Sequence, residues 1–443
     1  MSNIKIDFSN VIGKIKPMHG TGAGPRQGGA TLGIDTTAEF KEIGVPFSRL
    51  HDIEGAYGAN QFVDIHCVFP DFDADVDNPE SYNFKPTDYY LDSIIKAGTK
   101  VFYRLGETID HYPKQLFVRP PKDNLKWAKI CEHIIRHYNE GWADGFNWNI
   151  EYWEIWNEPD NSKMWTGSFD EFYNLYVTTA RHLKKCFPNL KIGGYSASGF
   201  YTESRPLEEC GAWFKTLVPY TLKFFERLSK ETEKVPMDFF SWHCYADRPE
   251  EIRIFAEYAQ KLLQEYGYAG IESILTEYNA YNVFVKVPAA NPCYGAELAA
   301  GLIVAQNSPV DAVMYYDMRF GRYNGIFARN IYLEIQRLHG FFVMKSFGDL
   351  YRLGNQCELT CDIGGVYALA ATNGVNNGIM IAVKDFCGEL NVQFSDVYNG
   401  VCVIEYCYEK PEKELETVKT DSGIKFNIQK DSVYYIKIKQ MEN

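Results

Sequence analysis

The chain has 443 residues, a formal net charge of −13 and 46% hydrophobic residues. That length exceeds one ordinary core, so a large domain with a smaller companion is expected, and the acidic balance argues against nucleic acid or anionic membrane as partners. Eleven cysteines without a CxxC pair argue against a zinc site and read as reduced thiols.

The N-terminus shows no basic start followed by an apolar run, and no uncharged apolar stretch approaches the ~18 residues of a membrane span. A cytoplasmic protein is therefore expected. From about residue 11, strand-like and helix-like text alternates. A first strand is expected over Val11 to Met18, ending at His19 before a Gly20-Thr21-Gly22-Ala23-Gly24 loop. Further strands are expected at Val45 to His51, Lys100 to Leu105, around Tyr152 to Trp156, Leu190 to Gly194, Met237 to His243, Ile271 to Glu277 and Val310 to Tyr316. Amphipathic helices separate them, and a closing helix is expected through the 330s. Eight such units in one run favour a (β/α)8 TIM barrel over residues 11–345. After Phe342 the text breaks into short alternating runs between Asn, Gly and Asp turns, as in an antiparallel β-sandwich over 346–443. Ile4 to Phe8 can add a strand to it.

The stretch Tyr152-Trp153-Glu154-Ile155-Trp156-Asn157-Glu158-Pro159 reads as a buried strand that stops abruptly. Pro159 cannot donate to a ladder and moves Glu158 out of the helical region, so Glu158 belongs at a strand's C-terminal end. In a parallel barrel, catalytic groups collect there. Glu277, in Leu275-Thr276-Glu277-Tyr278, ends the seventh expected strand in the same way. Two carboxyls facing each other across a barrel mouth suit glycoside hydrolysis, in which one protonates the leaving oxygen while the other attacks or activates water. A helix-capping or surface-paired Glu is the plain alternative for either one alone. Trp153, Trp156 and Trp165 are expected to desolvate Glu158. Gly20-x-Gly22-x-Gly24 lacks dinucleotide spacing, and Asp71-x-Asp73-x-Asp75-x-Asp77 lacks the Gly and Glu of a calcium loop.

With Trp156-Asn157-Glu158-Pro159 and Thr276-Glu277-Tyr278 as anchors, and Tyr82-Asn83-Phe84, Lys96-Ala97-Gly98 and Lys191-Ile192-Gly193-Gly194 between them, the chain resembles a clan A glycoside hydrolase, most like family 39, whose best-known members are β-xylosidases. The resemblance implies Glu158 as general acid/base and Glu277 as nucleophile of a retaining mechanism without metal or organic cofactor. It also implies that Asn157 binds the sugar 2-hydroxyl and that His243-Cys244-Tyr245 matches a His-x-Tyr motif whose Tyr245 donates to Glu277. Arg49 would hold the nucleophile ionised, and His19, His51 and Tyr316 would line the sugar pocket. A homo-oligomer is implied as well.

Tyr103-Arg104-Leu105-Gly106-Glu107, Gly194-Tyr195 and Tyr316-Asp317 depart from the family pattern, and these loops shape the pocket. The expected activity is exo-hydrolysis of β-xylosides and xylo-oligosaccharides, as in xylan degradation. A β-glucoside, arabinoside or uronide is the alternative, the last because Arg104, Arg319 and Arg322 stand near strand ends. A carbohydrate-binding barrel without catalysis is the non-enzymatic alternative.

Overall fold

The computed structural model describes residues 2–25, 35–50, 61–110, 113–280, 291–318, 326–329, 334–395, 400–406, 413–420 and 422–439. The candidates His51, Arg319 and Arg322 lie outside them. Eight parallel strands close into a barrel: β2 (Gly20–Thr21), β3 (Phe47–Arg49), β4 (Lys100–Leu105), β5 (Tyr152–Ile155), β6 (Lys191–Ala197), β7 (Phe239–Ala246), β8 (Glu272–Ala280) and β9 (Ala312–Tyr315). β1 (Ser2–Lys14) precedes them and belongs elsewhere.

Side chains alternate across each strand, and the inward set is layered. At the N-terminal end Phe47, Phe102, Tyr152, Phe239, Ile274 and Met314 form an apolar plug. Phe102 meets Tyr152 at 5.1 Å and Phe239 at 5.2 Å between ring centroids. Two residues further along their strands, the same faces carry Arg49, Arg104, Glu154 and Ser241. The plug closes the floor, and the polar layer above it supports whatever stands at the mouth.

The first strand is corrected. Val11 to Lys14 continues β1, and the barrel's first strand is the two-residue Gly20–Thr21, within the stretch expected to be a loop. Glycine is needed at position 20 because a Cβ there would lie 2.9 Å from the Val313 carbonyl oxygen. The closing helix is also later than expected. A short hairpin of β10 (Phe327–Arg329) and β11 (Ile335–Arg337) precedes a helix over His339–Leu353.

The second sheet has ten strands. β12 (Asn355–Cys361), β13 (Val366–Thr372), β14 (Asn376–Val383), β15 (Gly388–Phe394), β16 (Gly400–Tyr406), β17 (Lys413–Leu415), β18 (Val418–Thr420), β19 (Gly423–Ile428) and β20 (Ser432–Lys439) join β1 in the order β17-β16-β20-β14-β13-β12-β1-β15-β19-β18. All pairs are antiparallel except β1 with β15. Strands from both halves of that order, including Ile4, Ile381, Val392, Val403, Ile424 and Ile436, share one core, so the sheet folds over itself as a β-sandwich.

In β13 and β14 both faces are covered. Ala370, Ile379, Ile381 and Val383 enter the sandwich core, whereas Leu369, Ala371, Met380 and Ala382 join the barrel's core. That is why Gly378 to Val383 reads as a continuous apolar run. The helix Pro292–Gln306 lies on the barrel side of this seam and is apolar nearly all round, as burial on several sides requires. Gly301 admits the Tyr278 hydroxyl, which a Cβ would meet at 1.9 Å. Lys384 pairs with Glu297 at 2.8 Å across the same seam. Among the described residues no helix is long and apolar enough to cross a membrane.

Candidate active site

β5 ends at Ile155, and the chain then turns sharply, with φ of 68° at Trp156 and 45° at Glu158. Neither residue favours the left-handed region, and the turn is held by its neighbours. Trp156 N donates to Leu105 O at 2.7 Å, Trp156 Nε1 to Met164 O at 2.9 Å, and Glu158 N to Ser196 O at 3.1 Å. Strain held by surrounding bonds is typical of functional turns.

Glu158 and Glu277 face each other with His243 between them. A carboxylate oxygen of each and a ring nitrogen of His243 all lie within 4.8 Å of one another. His243 Nδ1 is 2.8 Å from Glu158 Oε1 and 3.6 Å from Glu277 Oε2. Asn161 Nδ2 donates to Glu158 Oε2 at 2.9 Å, and Tyr245 OH donates to Glu277 Oε2 at 2.8 Å. Burial pushes the His243 imidazolium down to about 4, so the ring is neutral at neutral pH.

Arg49 ties the polar layer together. Its Nη1 donates to Glu277 Oε1 at 2.9 Å, its Nε to Glu154 Oε2 at 2.6 Å, and its Nη2 to Asn157 Oδ1 at 2.5 Å and Ser196 Oγ at 2.9 Å. Ser196 Oγ in turn donates to Glu154 Oε1. Arg49 therefore divides its charge between two buried carboxyls. Burial raises the Glu277 carboxyl above its ordinary value, against the pull of His243, Arg49 and the Tyr245 hydroxyl. Arg49 was expected beside the nucleophile, and Glu154 shares that cation. Glu154 and Ser196 went unrecognised in the sequence. The available signal was an acidic residue on the inward face of a fully buried strand, which needs a cationic partner.

The other candidates divide. The Asn157 Nδ2 amide is buried without a hydrogen-bond partner among the described residues, while its Oδ1 is taken by Arg49. Tyr316 stands beside Tyr245, with ring centroids 6.3 Å apart. His19 is a correction. It precedes the first barrel strand, bonds Gly44 O through Nε2 at 3.1 Å and packs on Phe347 and Tyr351. These contacts belong to the N-terminal end of the barrel, so His19 cannot line a pocket at the mouth. The misplaced first strand carried it to the wrong end.

Trp153 is also placed differently. It lies on the outward face of β5, 4.7 Å from the Tyr103 ring, and Trp156 and Trp165 pack on each other at 5.0 Å. Arg104 is wholly buried. It donates to Leu50 O at 3.2 Å and to Asp64 Oδ1 at 3.2 Å, and its Nη1 has no partner among the described residues. Among the described residues two further groups bring ligand-type atoms within 4.8 Å, Asp64 with His66 and Glu107, and Glu132 with His182 and Cys186. In each, the acids are already engaged: Asp64 by Arg104 and Thr108, Glu107 by His66, and Glu132 by Arg136 and His182.

Comparisons with known proteins identify the family of the chain. The sequence profile of Glycosyl hydrolases family 39 matches residues 49–317, which include Arg49, Glu158, His243, Tyr245 and Glu277. A beta-xylosidase of Geobacillus stearothermophilus is 25% identical over 208 residues, covering 44% of this chain and 37% of that protein. A beta-xylosidase of Caldicellulosiruptor saccharolyticus is 25% identical over 259 residues, covering 55% and 46%. This chain thus spans less than half the length of the curated relatives it matches. A glucosidase from Croceicoccus marinus shares the fold, with a TM-score of 0.78, 21% identity and coverage of 100% of this chain and 99% of that one. The chain belongs to family 39 of the glycosyl hydrolases.

Proposed function

We propose that this chain is a retaining exo-glycosidase acting on β-xylosides and short xylo-oligosaccharides, with the eight-stranded barrel as its catalytic unit and the ten-stranded sheet, which includes β1, as an accessory sandwich. The observation that carries the reading is the approach of Glu158 and Glu277 within 4.8 Å. Retaining enzymes hold their carboxyls about 5–5.5 Å apart, whereas inverting enzymes need about 6.5–9.5 Å to admit a water.

Glu158, the more accessible of the two, gives its proton to the leaving oxygen. Glu277, aligned by Arg49 and Tyr245, attacks the anomeric carbon and forms a glycosyl ester. Glu158, now a carboxylate, takes a proton from the incoming water, whose oxygen displaces Glu277. The unpartnered Asn157 Nδ2 is free to donate to the sugar 2-hydroxyl, a contact that strengthens in the transition state. The neutral His243 holds the Glu158 carboxyl by one hydrogen bond without adding charge between the pair.

The xylose preference rests on the two curated relatives, both beta-xylosidases. A panel of nitrophenyl glycosides tests it. Release from the β-xyloside, faster than from the glucoside, arabinoside and uronoside, is the expected result. Turnover of another glycone alone would keep the mechanism and replace the substrate. Turnover of none would overturn the enzyme reading.

A further inference from the structure

We propose that Trp213 is the platform on which the leaving sugar stacks, an inference that rests on Glu158 being the acid. Of the chain's eight tryptophans Trp213 is the exposed one, with 43% of its surface accessible, while Trp127, Trp153, Trp156, Trp165 and Trp242 are buried. It ends the connection that follows β6, on the C-terminal side of the barrel where the candidate acid stands.

Its position is fixed from two sides. The indole Nε1 donates to Asp160 O at 3.1 Å, two residues beyond Glu158, and the Asp160 carboxylate is held by Ser198 N and Oγ. On the other side Trp213 packs on Phe214 at 5.3 Å, Phe214 on Tyr201 at 4.3 Å, and the Tyr201 hydroxyl accepts from Tyr245 N at 3.1 Å. The ring therefore bridges the loop of the candidate acid and the strand that carries Tyr245.

With its N–H satisfied by protein, what Trp213 offers to solvent is apolar ring surface. Glu158 must touch the glycosidic oxygen to protonate it, and that oxygen carries the leaving group. The surface next to the acid's own loop is therefore where the leaving group rests. A pyranose presents a flat C–H face that suits an aromatic platform, and a ring held at its edge needs little ordering to receive it.

The test compares xylobiose with methyl β-xyloside. Both leaving groups are alcohols that need a proton from the acid, but only xylobiose has a ring to stack. Trp213→Ala is expected to lower kcat/KM on xylobiose about tenfold, chiefly through KM, and to leave methyl β-xyloside unchanged. Trp213→Phe, which keeps a ring but loses the bond to Asp160, is expected to recover most of the loss. An equal fall on both substrates would show that Trp213 only positions the acid's loop, and would overturn the platform. So would no loss on xylobiose, or a Phe variant as poor as the Ala variant. A wild-type chain that cleaves nitrophenyl β-xyloside but shows one of these patterns retains the hydrolase reading and loses the platform alone. A wild-type chain that cleaves no glycoside overturns both.

Discussion

The Arg49 guanidinium reaches Glu277 Oε1 at 2.9 Å with both side chains buried, so the candidate nucleophile and the cation beside it form one unit. Glu154 shares that cation at 2.6 Å, which leaves burial as the larger influence on Glu277. Replacing Arg49 with Met removes the pull and leaves the burial. The acidic limb of the kcat/KM profile, where Glu277 must lose its proton to attack, is then expected to move to higher pH. A profile whose acidic limb stays in place would separate Arg49 from the ionisation of the nucleophile.

The two carboxyls should respond differently to removal. Glu277→Ala is expected to be nearly inactive on every glycoside, because no ester can form. Glu158→Ala should retain cleavage of dinitrophenyl xyloside, whose leaving group needs no proton, and lose activity steeply as the leaving group becomes more basic. Added azide should accelerate this variant and yield a β-xylosyl azide. Equal losses in both variants across leaving groups would contradict the division of roles.

The same two residues show what sequence can disclose. Glu158 was legible because Pro159 ends a run of buried-strand text, and Glu277 because it stands in an equally apolar strand, although that strand runs on to Ala280 instead of ending at Glu277. β12 (Asn-Gln-Cys-Glu-Leu-Thr-Cys) was not legible: its polar text becomes a strand because β1 pairs along it from Ile4↔Cys361 to Lys14↔Asn355. The barrel's first strand was missed for the opposite reason. It is two residues long and needs a glycine at its closest approach, so it resembles a loop, and His19 was misplaced with it. Glu154 escaped notice because its partner Arg49 lies 105 residues away, a pairing that only closure of the barrel creates.

His19, displaced from the pocket, has a consequence for stability. Burial pushes its imidazolium down to about 3, against about 6.5 in an unfolded chain. Below that value the unfolded state binds a proton that the folded state refuses, so stability is present above pH 6.5 and falls as pH drops toward 3. His19→Phe, which keeps an aromatic ring against Phe347 and Tyr351, should flatten the slope of unfolding free energy between about pH 4 and 6 by about one proton. Denaturant titrations across that range would show it, and an unchanged slope would contradict the buried neutral assignment.

Arg104 distinguishes a structural cation from one that reads a uronate. It is wholly buried and paired with the buried Asp64, so Arg104→Ala strands a carboxylate. A loss of about 3–5 kcal/mol of stability is expected, with activity falling in proportion on all glycosides. A rise in KM confined to uronosides, at unchanged stability, would instead favour the uronide alternative.

In the proposed mechanism Glu277 forms a covalent bond to the sugar while Glu158 supplies the proton. This is tested most directly by incubating the enzyme with dinitrophenyl 2-deoxy-2-fluoro-β-xyloside and mapping the trapped adduct by peptide mass spectrometry. One fluoroxylosyl group is expected on the peptide that contains Glu277, as an ester at that side chain. An adduct on Glu158, or a wild-type product of inverted anomeric configuration with no adduct formed, would contradict it.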